Sequence, residues 1–447
     1  KDRRADCAPP RRRGHMRAAF WPRRRRGACL LGGAALIWAV PAPPALQQPL
    51  PLPMEVLVVG AGCTGGLAAR GVRDGLRERL GGQAPPPEEL RLSVWEWARG
   101  PAGRMSTFWS DPGGGGERRV ADLGAQVFST PDAGEASRLR ELGAVEAAGL
   151  AETCERRAGY SHFWSPGGTS ELLRRQLAAA APDEVAFGRR VTAIRQEGAK
   201  WAVEVGARGR GGSRGRSGSP AGRRFDVVIL AVTAADALGI GGVRDLLGPD
   251  AAGLQQVRYD HRLAVALLLE PGLRARARRL FGGASELDLE GEGGVLGLLA
   301  WQDRKRRDHA ACTVLVAHST RAFAARNQQE ARSARRRPAE LGLEAVLGAV
   351  ADKLSVPCAQ LRGGLLETKV VHWRQCQVQR PFRPTEPSAE PCLTAEPFGG
   401  GGPLLVVCGD FFCEGSFHGC SRSASAAARA VAGWVARRLP RAQRPAP

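Results

Sequence analysis

Apolar residues fall in short runs bounded by glycine and proline. The run "EVLVV" before Gly60 is continuous, as in a strand buried on both faces, and it stops at a glycine turn. The stretch that follows, "GLAARGVRDGLRERL", places apolar residues at helical spacing. Strand, glycine turn and helix are therefore predicted in that order. A second strand is predicted at "LRLSVWEWA", ending in Glu96. The runs "HRLAVALLLE" and "CTVLVAHST", within roughly Val257–Thr320, suit strands of a further sheet. The segment Arg326–Leu354 reads as a helix with a proline break. Near the C-terminus, Pro403–Val431 repeats the opening pattern: a strand, a Gly-Asp turn, and a helix beginning near Gly419.

Composition changes this picture little. Of 447 residues, 43% are hydrophobic and 24% charged, enough for two or three domains with cores of their own. The formal net charge of +21 raises a nucleic-acid partner, but its distribution argues against one. Residues 1–53 hold eleven Arg or Lys against two Asp, and much of the rest is Arg in Gly-rich insertions such as Arg208–Arg224. No aromatic-interleaved basic motif stands beside these runs. Eleven Cys, with no Cys-x-x-Cys pair, speak against a disulfide framework or a zinc site. No metal site is expected. The stretch Ala28–Val40 is too short to span a bilayer, so no stable membrane insertion is expected. Residues 1–53 read as a secretory signal or as sequence upstream of initiation at Met54. Either way they stand outside the fold.

Gly60, Gly62 and Gly65 form G-x-G-x-x-G between the first strand and its helix. The first glycine allows the tight turn. The second lets backbone approach a pyrophosphate. The third lets helix pack on strand, so that the helix N-terminus meets the phosphates. Glu96 ends the second strand, where a carboxylate accepts from a ribose hydroxyl. The gap between them is lengthened by a loop insertion at Gly81–Glu89. The late Gly409–Asp410 turn favours FAD over NAD, because its carboxylate can hold a ribityl chain and the helix after it faces the flavin.

Taken in order, "VLVVGAGCTGGL", "VWEWARGPAGRMST", "ADLGAQ", "YSHFWSPGGTSELLR", "VAFGRRVTAI", "FDVVILAV", "HWRQCQV" and "CGDFFCEGSFHGC" resemble the renalase family of the flavin amine-oxidase-like superfamily. The resemblance covers most of residues 54–440. It implies an α/β fold: a Rossmann-type FAD-binding domain of discontinuous segments (54–130, 160–250 and 365–440) with a second mixed-sheet substrate domain (131–159 and 251–364), of the p-hydroxybenzoate hydroxylase kind, and a tail at 441–447. It implies non-covalent FAD, since the covalent-attachment signature of monoamine oxidases is missing. The implied activity is oxidation of 2- and 6-dihydro isomers of NAD(P)H, with hydride passing to the flavin and then to O2, giving H2O2 and NAD(P)+. The implied partners are that dihydronicotinamide dinucleotide and O2.

Residue by residue, the resemblance assigns Gly60, Gly62, Thr64, Gly65, Glu96, Arg104, Gln126, Val127, Gly409 and Asp410 to the cofactor. Trp373 and Arg374 match a family pair near the flavin, although a buried Trp is more often core. Ala102 stands where the family has glycine and would crowd the pyrophosphate. Cys408 and Phe411 flank Gly409–Asp410 where the family pattern has glycine. Thr233 replaces a proline, and Val127 an aromatic residue. No side chain is assigned acid–base catalysis, because hydride transfer between stacked rings needs positioning more than proton transfer. His162, His261, His318, His372 and His418 could each line a pocket; none is given a role. Two alternatives remain open. One is a flavin amine oxidase, which usually builds an aromatic cage beside the flavin, whereas this chain has only Tyr160 and Tyr259 as tyrosines. The other is a secreted signalling protein that meets a cell-surface receptor and keeps FAD as a structural group. Processing after Val40 would favour export; initiation at Met54 would favour a cytoplasmic enzyme.

Overall fold

The computed structural model describes residues 53–79, 89–110, 118–147, 159–206, 223–306, 312–384, 390–397 and 401–438. The N-terminal extension up to residue 52, the insertion at 81–88, the Arg-rich stretch at 207–222 and the tail at 441–447 lie outside the described residues.

In chain order the main strands are β1 (Met54–Val59), β2 (Leu90–Glu96), β3 (Glu184–Phe187), β4 (Val227–Leu230), β5 (Arg262–Leu269), β6 (Glu286–Asp288), β7 (Leu296–Trp301), β8 (Thr313–Ser319), β9 (Leu365–Trp373), β10 (Cys392–Ala395) and β11 (Leu404–Cys408). Four helices matter most: α1 (Cys63–Arg79), α2 (Thr169–Ala179), α3 (Pro338–Leu354) and α4 (Phe417–Arg438).

The first sheet has the order β10-β11-β4-β1-β2-β3. Its strands are parallel except for β10, which pairs antiparallel with β11. Continuous apolar runs suit it, because both faces are covered. Side chains alternate along each strand. Val56, Val58, Val227, Ile229 and Val406 therefore meet Ala68 and Val72 of α1 and Ala427 and Val431 of α4. Leu57, Val59, Val228, Leu230 and Val407 enter a second core with Trp95, Trp201 and Phe225. Burying one such Val, Ile or Leu contributes about 1.5–3 kcal/mol.

The second sheet has the order β6-β7-β8-β5-β9. A mixed sheet was expected here, but every pairing in it is antiparallel among the described residues. Leu365–Trp373, expected with the cofactor segments, belongs to this sheet: β9 pairs with β5 along its length. Its alternation is two-sided as well. Val265, Leu267 and Leu269 pack under α3. Ala264, Ala266 and Leu268 pack on Ala121 and Leu123, which come from the first half of the chain. The proline break falls as read, with Pro338 opening α3 after the helix Arg321–Ser333. The segment at 131–159 is only partly described. Its strand Val145–Glu146 joins Phe128–Thr130 and Ser161–Trp164 in a small sheet.

Candidate functional site

Because β1, β2, β4 and β11 are parallel, their C-terminal ends open on one edge of the sheet, and α1 and α4 start there. β1 lies at the switch point, with β2 on one side and β4 on the other, where open α/β sheets bind ligands. Gly60 takes φ +105°, and its N–H donates to the Trp95 carbonyl at 2.8 Å. A methyl at Gly65 would stand 1.8 Å from the Gly60 carbonyl oxygen, so only glycine lets α1 sit so close. Gly62 is different: a methyl there would meet nothing within 4 Å. The second glycine therefore borders open space at the start of α1, as backbone that cradles a phosphate must. Thr64 is buried in the first turn of α1.

Glu96 reaches this turn. One carboxylate oxygen accepts from the Ala61 N–H at 2.8 Å, the other from the Ala98 N–H at 2.6 Å. These amides hold the side chain at the glycine turn and leave lone pairs for a further donor.

Arg104 and Asp410, 306 positions apart, form a two-pronged ion pair with bonds of 2.7 and 2.9 Å. Arg104 also donates to the Cys376 carbonyl at 2.8 Å and lies over the Tyr259 ring, 5.9 Å from its centre. The Tyr259 hydroxyl accepts from the Ala234 N–H at 3.1 Å. Burial, and next the Asp410 charge, raises the Tyr259 phenol, so it is a neutral ring under the guanidinium. Burial disfavours the charged guanidinium, but Asp410 outweighs it and holds Arg104 above its ordinary range. Gly409 donates its N–H to the Ser423 hydroxyl of α4 at 2.9 Å, which ties the Gly-Asp turn to that helix.

Several of the substitutions noted in the sequence resolve locally. Ala102 adopts φ +99°, a conformation that costs a non-glycine residue of order 1–3 kcal/mol. It is held there by its N–H on the Ala61 carbonyl at 3.0 Å. The Phe411 ring turns into the core, fully buried and 4.7 Å from Phe412. Thr233 caps the helix Ala234–Gly239, accepting from the Asp236 N–H at 3.3 Å, which replaces the rigidity of a proline with a capping bond. Trp373 packs with the apolar face of β5, its ring edge against His318 at 6.1 Å, and Arg374 is exposed.

Gln126 is buried and spends its amide on protein partners. Its NH2 group donates to the Asp122 and Gly124 carbonyls, and its carbonyl accepts from Gln302 at 2.6 Å. Val127 beside it is half-buried. Below this loop lies a group that the sequence reading missed. Asp122, with no exposed surface, accepts from the Thr107 hydroxyl at 2.9 Å, the Thr169 N–H at 2.9 Å, Lys305 at 2.8 Å and Arg306 at 2.5 Å. Burial alone would raise its carboxyl, but the two cations and these bonds hold it well below the ordinary carboxylate range. One signal was available: Lys305 is one of only five lysines in a chain that otherwise uses Arg.

His318 donates a ring N–H to the Leu123 carbonyl at 2.7 Å, which joins the second sheet to the same loop. Burial lowers its pKa to about 4. An unfolded His binds a proton near pH 6.5, so between 6.5 and 4 the unfolded chain holds one proton more. Stability attributable to His318 is complete above pH 6.5 and is lost as pH falls, at up to about 1.4 kcal/mol per pH unit. Urea midpoints at pH 7 and pH 5 are expected to differ more for wild type than for His318→Gln. Equal differences would remove His318 from the account.

No protein-family model matches this sequence, and no curated protein does. Solved structures do match. A putative protoporphyrinogen oxidase from Exiguobacterium sp. 255-15 aligns with a TM-score of 0.53 at 10% identity, over 85% of this chain and 98% of its own. A putrescine oxidase variant from a redesign of cofactor binding gives 0.52 at 13%, over 86% and 99%. Wild-type putrescine oxidase bound to putrescine gives 0.51 at 14%, over 85% and 98%. The fold is shared with these oxidases. It is mixed α/β with a Rossmann-type parallel sheet, and almost the whole of each oxidase chain is covered.

Proposed function

We propose that this chain is a flavin-dependent oxidoreductase that holds FAD without a covalent bond and oxidises 2- and 6-dihydro isomers of NAD(P)H. The observation that carries the reading is the convergence of three distant sequence features on one sheet edge: the glycine turn, Glu96, and the Arg104–Asp410 pair. The residues fit a dinucleotide. The open space beside Gly62 suits a pyrophosphate, with Thr64 and the first amides of α1 as donors. Glu96 would accept from a ribose. Asp410 would face the ribityl chain, held in place by Arg104.

When bound there, a flavin supplies two-electron chemistry, taking hydride from the substrate and passing the electrons to O2. The protein's part is positioning. Arg104 fixes Asp410, and Gly409 is pinned to α4. Gln126 shapes the loop between the two sheets, and its amide is already satisfied within the protein, as suits a wall rather than a proton carrier. The dihydronicotinamide substrate rests on the resemblance to renalases. A second reading, an amine substrate, draws on the shared fold with a putrescine oxidase.

The test uses the full chain loaded with FAD. Its visible flavin band is expected to bleach within seconds under anaerobic 2- or 6-dihydro-NAD(P)H and to return with peroxide when air is admitted. Ordinary NADH and putrescine are expected to leave it unchanged. Bleaching by putrescine alone would favour the amine reading, and a chain that takes up no FAD would remove both.

A further inference from the structure

Two cysteines meet at the mouth of this site. α1 and α4 both begin at the sheet edge and pack side by side in parallel, and small residues make the approach close. A methyl built on Gly71 would lie 2.9 Å from the Ala428 Cβ, and one on Gly75 would lie 4.0 Å from the Ala432 Cβ. Both contacts have the same offset along the chain. Two turns back toward the helix starts, that offset places Cys63 opposite Cys420. Both cysteines sit in one apolar cluster with Ala102, Met105 and Phe128, and the Cys420 thiol is near enough to act on Cys63. Both are free thiols, each about 8% exposed. Cys63 is the residue after Gly62, and Cys420 follows Gly419 in the first turn of α4. The Arg104 and Asp410 charges are near enough to act on Cys63.

We propose that Cys63 and Cys420 are a redox-responsive clasp: peroxide converts the dithiol to a disulfide that ties α1 to α4 across the mouth of the dinucleotide cradle and closes it to the cofactor. The proposal rests on the oxidase reading in one respect, that peroxide is made at this site. The chemistry balances. One thiolate attacks peroxide, the O–O bond breaks, and a sulfenic acid and hydroxide form. The second thiol then attacks the sulfenic sulfur and releases water. Two sulfurs lose two electrons, peroxide gains them, and two waters result. The neighbouring Cys420 thiol, and next burial, push the Cys63 thiol up, so Cys63 is slow to react with peroxide at neutral pH. The clasp therefore closes under sustained peroxide rather than at each turnover.

The test treats the reduced full chain with hydrogen peroxide and maps crosslinks by fragmentation mass spectrometry. A Cys63–Cys420 disulfide is expected, absent in Cys63→Ser and in Cys420→Ser. Its rate is expected to rise with pH between 7 and 9, as the Cys63 thiolate fraction does. Crosslinked protein is expected to bind FAD at least tenfold more weakly by flavin fluorescence, with recovery on reduction by dithiothreitol, and saturating FAD is expected to slow the crosslink. Overoxidation of either cysteine without a crosslink would overturn the proposal. So would a disulfide confined to Cys392 and Cys408, which face each other across β10 and β11, or a crosslink without effect on FAD. Failure of the oxidase reading is separately visible, because the crosslink is read by mass whether or not the chain takes up flavin.

Discussion

Asp122→Ala is expected to lower the stability of the chain by about 3–5 kcal/mol, the range for stripping one partner from a buried ion pair. The Asp122 side chain has no exposed surface, and its two cations are nearly as buried, Lys305 at 2% and Arg306 at 9%. Without the carboxylate, two positive charges and the Thr169 N–H lose an acceptor in a dry interior. The loss also reaches the site. Asp122 comes from the strand Arg119–Asp122, whereas Lys305 and Arg306 come from the helix Gln302–Arg306 that follows β7. The cluster thus fastens the second sheet to the loop carrying Gln126. Urea denaturation reads the effect as a lower midpoint with an unchanged slope. A second substitution separates charge burial from packing: adding Lys305→Met to Asp122→Ala is expected to recover part of the loss, because it removes one orphaned cation and keeps side-chain volume. Strict additivity of the two would show that the pair carries no such coupling.

That cluster also marks the limit of what local patterns disclose. The strand–turn–helix at Val56–Arg79, Glu96 at the end of β2, and the strand, Gly-Asp turn and helix near the C-terminus were legible because each follows from neighbours within about twenty positions. Apolar periodicity, glycine spacing and a terminal acid are all short-range signals. The Arg104–Asp410 pair was not legible as a pair. Each residue could be assigned to the cofactor, but their mutual bond spans 306 positions and depends on how β2 and β11 are ordered in the sheet. β9 was misplaced for a related reason. Its exposed and half-buried residues look like any edge strand, and only pairing with β5 decides its sheet. Ala102, read as an obstacle to a pyrophosphate, carries a second consequence that sequence did not disclose. Its departure from glycine shows as backbone strain at φ +99°. The Phe411 ring, which sequence could only place beside the Gly-Asp turn, goes into the core.

Gly62→Ala is expected to leave folding almost unchanged while weakening FAD binding at least tenfold. The two halves of that expectation have different origins. For the fold, a methyl at Gly62 meets nothing within 4 Å, and this glycine is not among those with positive φ, so alanine fits without strain. The change in stability is then within about 1 kcal/mol and of either sign, as replacing glycine also reduces the freedom of the unfolded chain. For the ligand, the methyl enters the space proposed above for a pyrophosphate against the helix start, and a phosphate that cannot reach the amides loses their charge-assisted bonds. Gly65→Ala is the contrast. There the methyl meets the Gly60 carbonyl at 1.8 Å, and α1 must move off β1, so both stability and FAD uptake fall. Urea midpoints and flavin-fluorescence titrations of the two variants separate the roles. If Gly62→Ala keeps full affinity, the open space beside Gly62 is not where the dinucleotide binds, and the site must be sought elsewhere on the sheet edge.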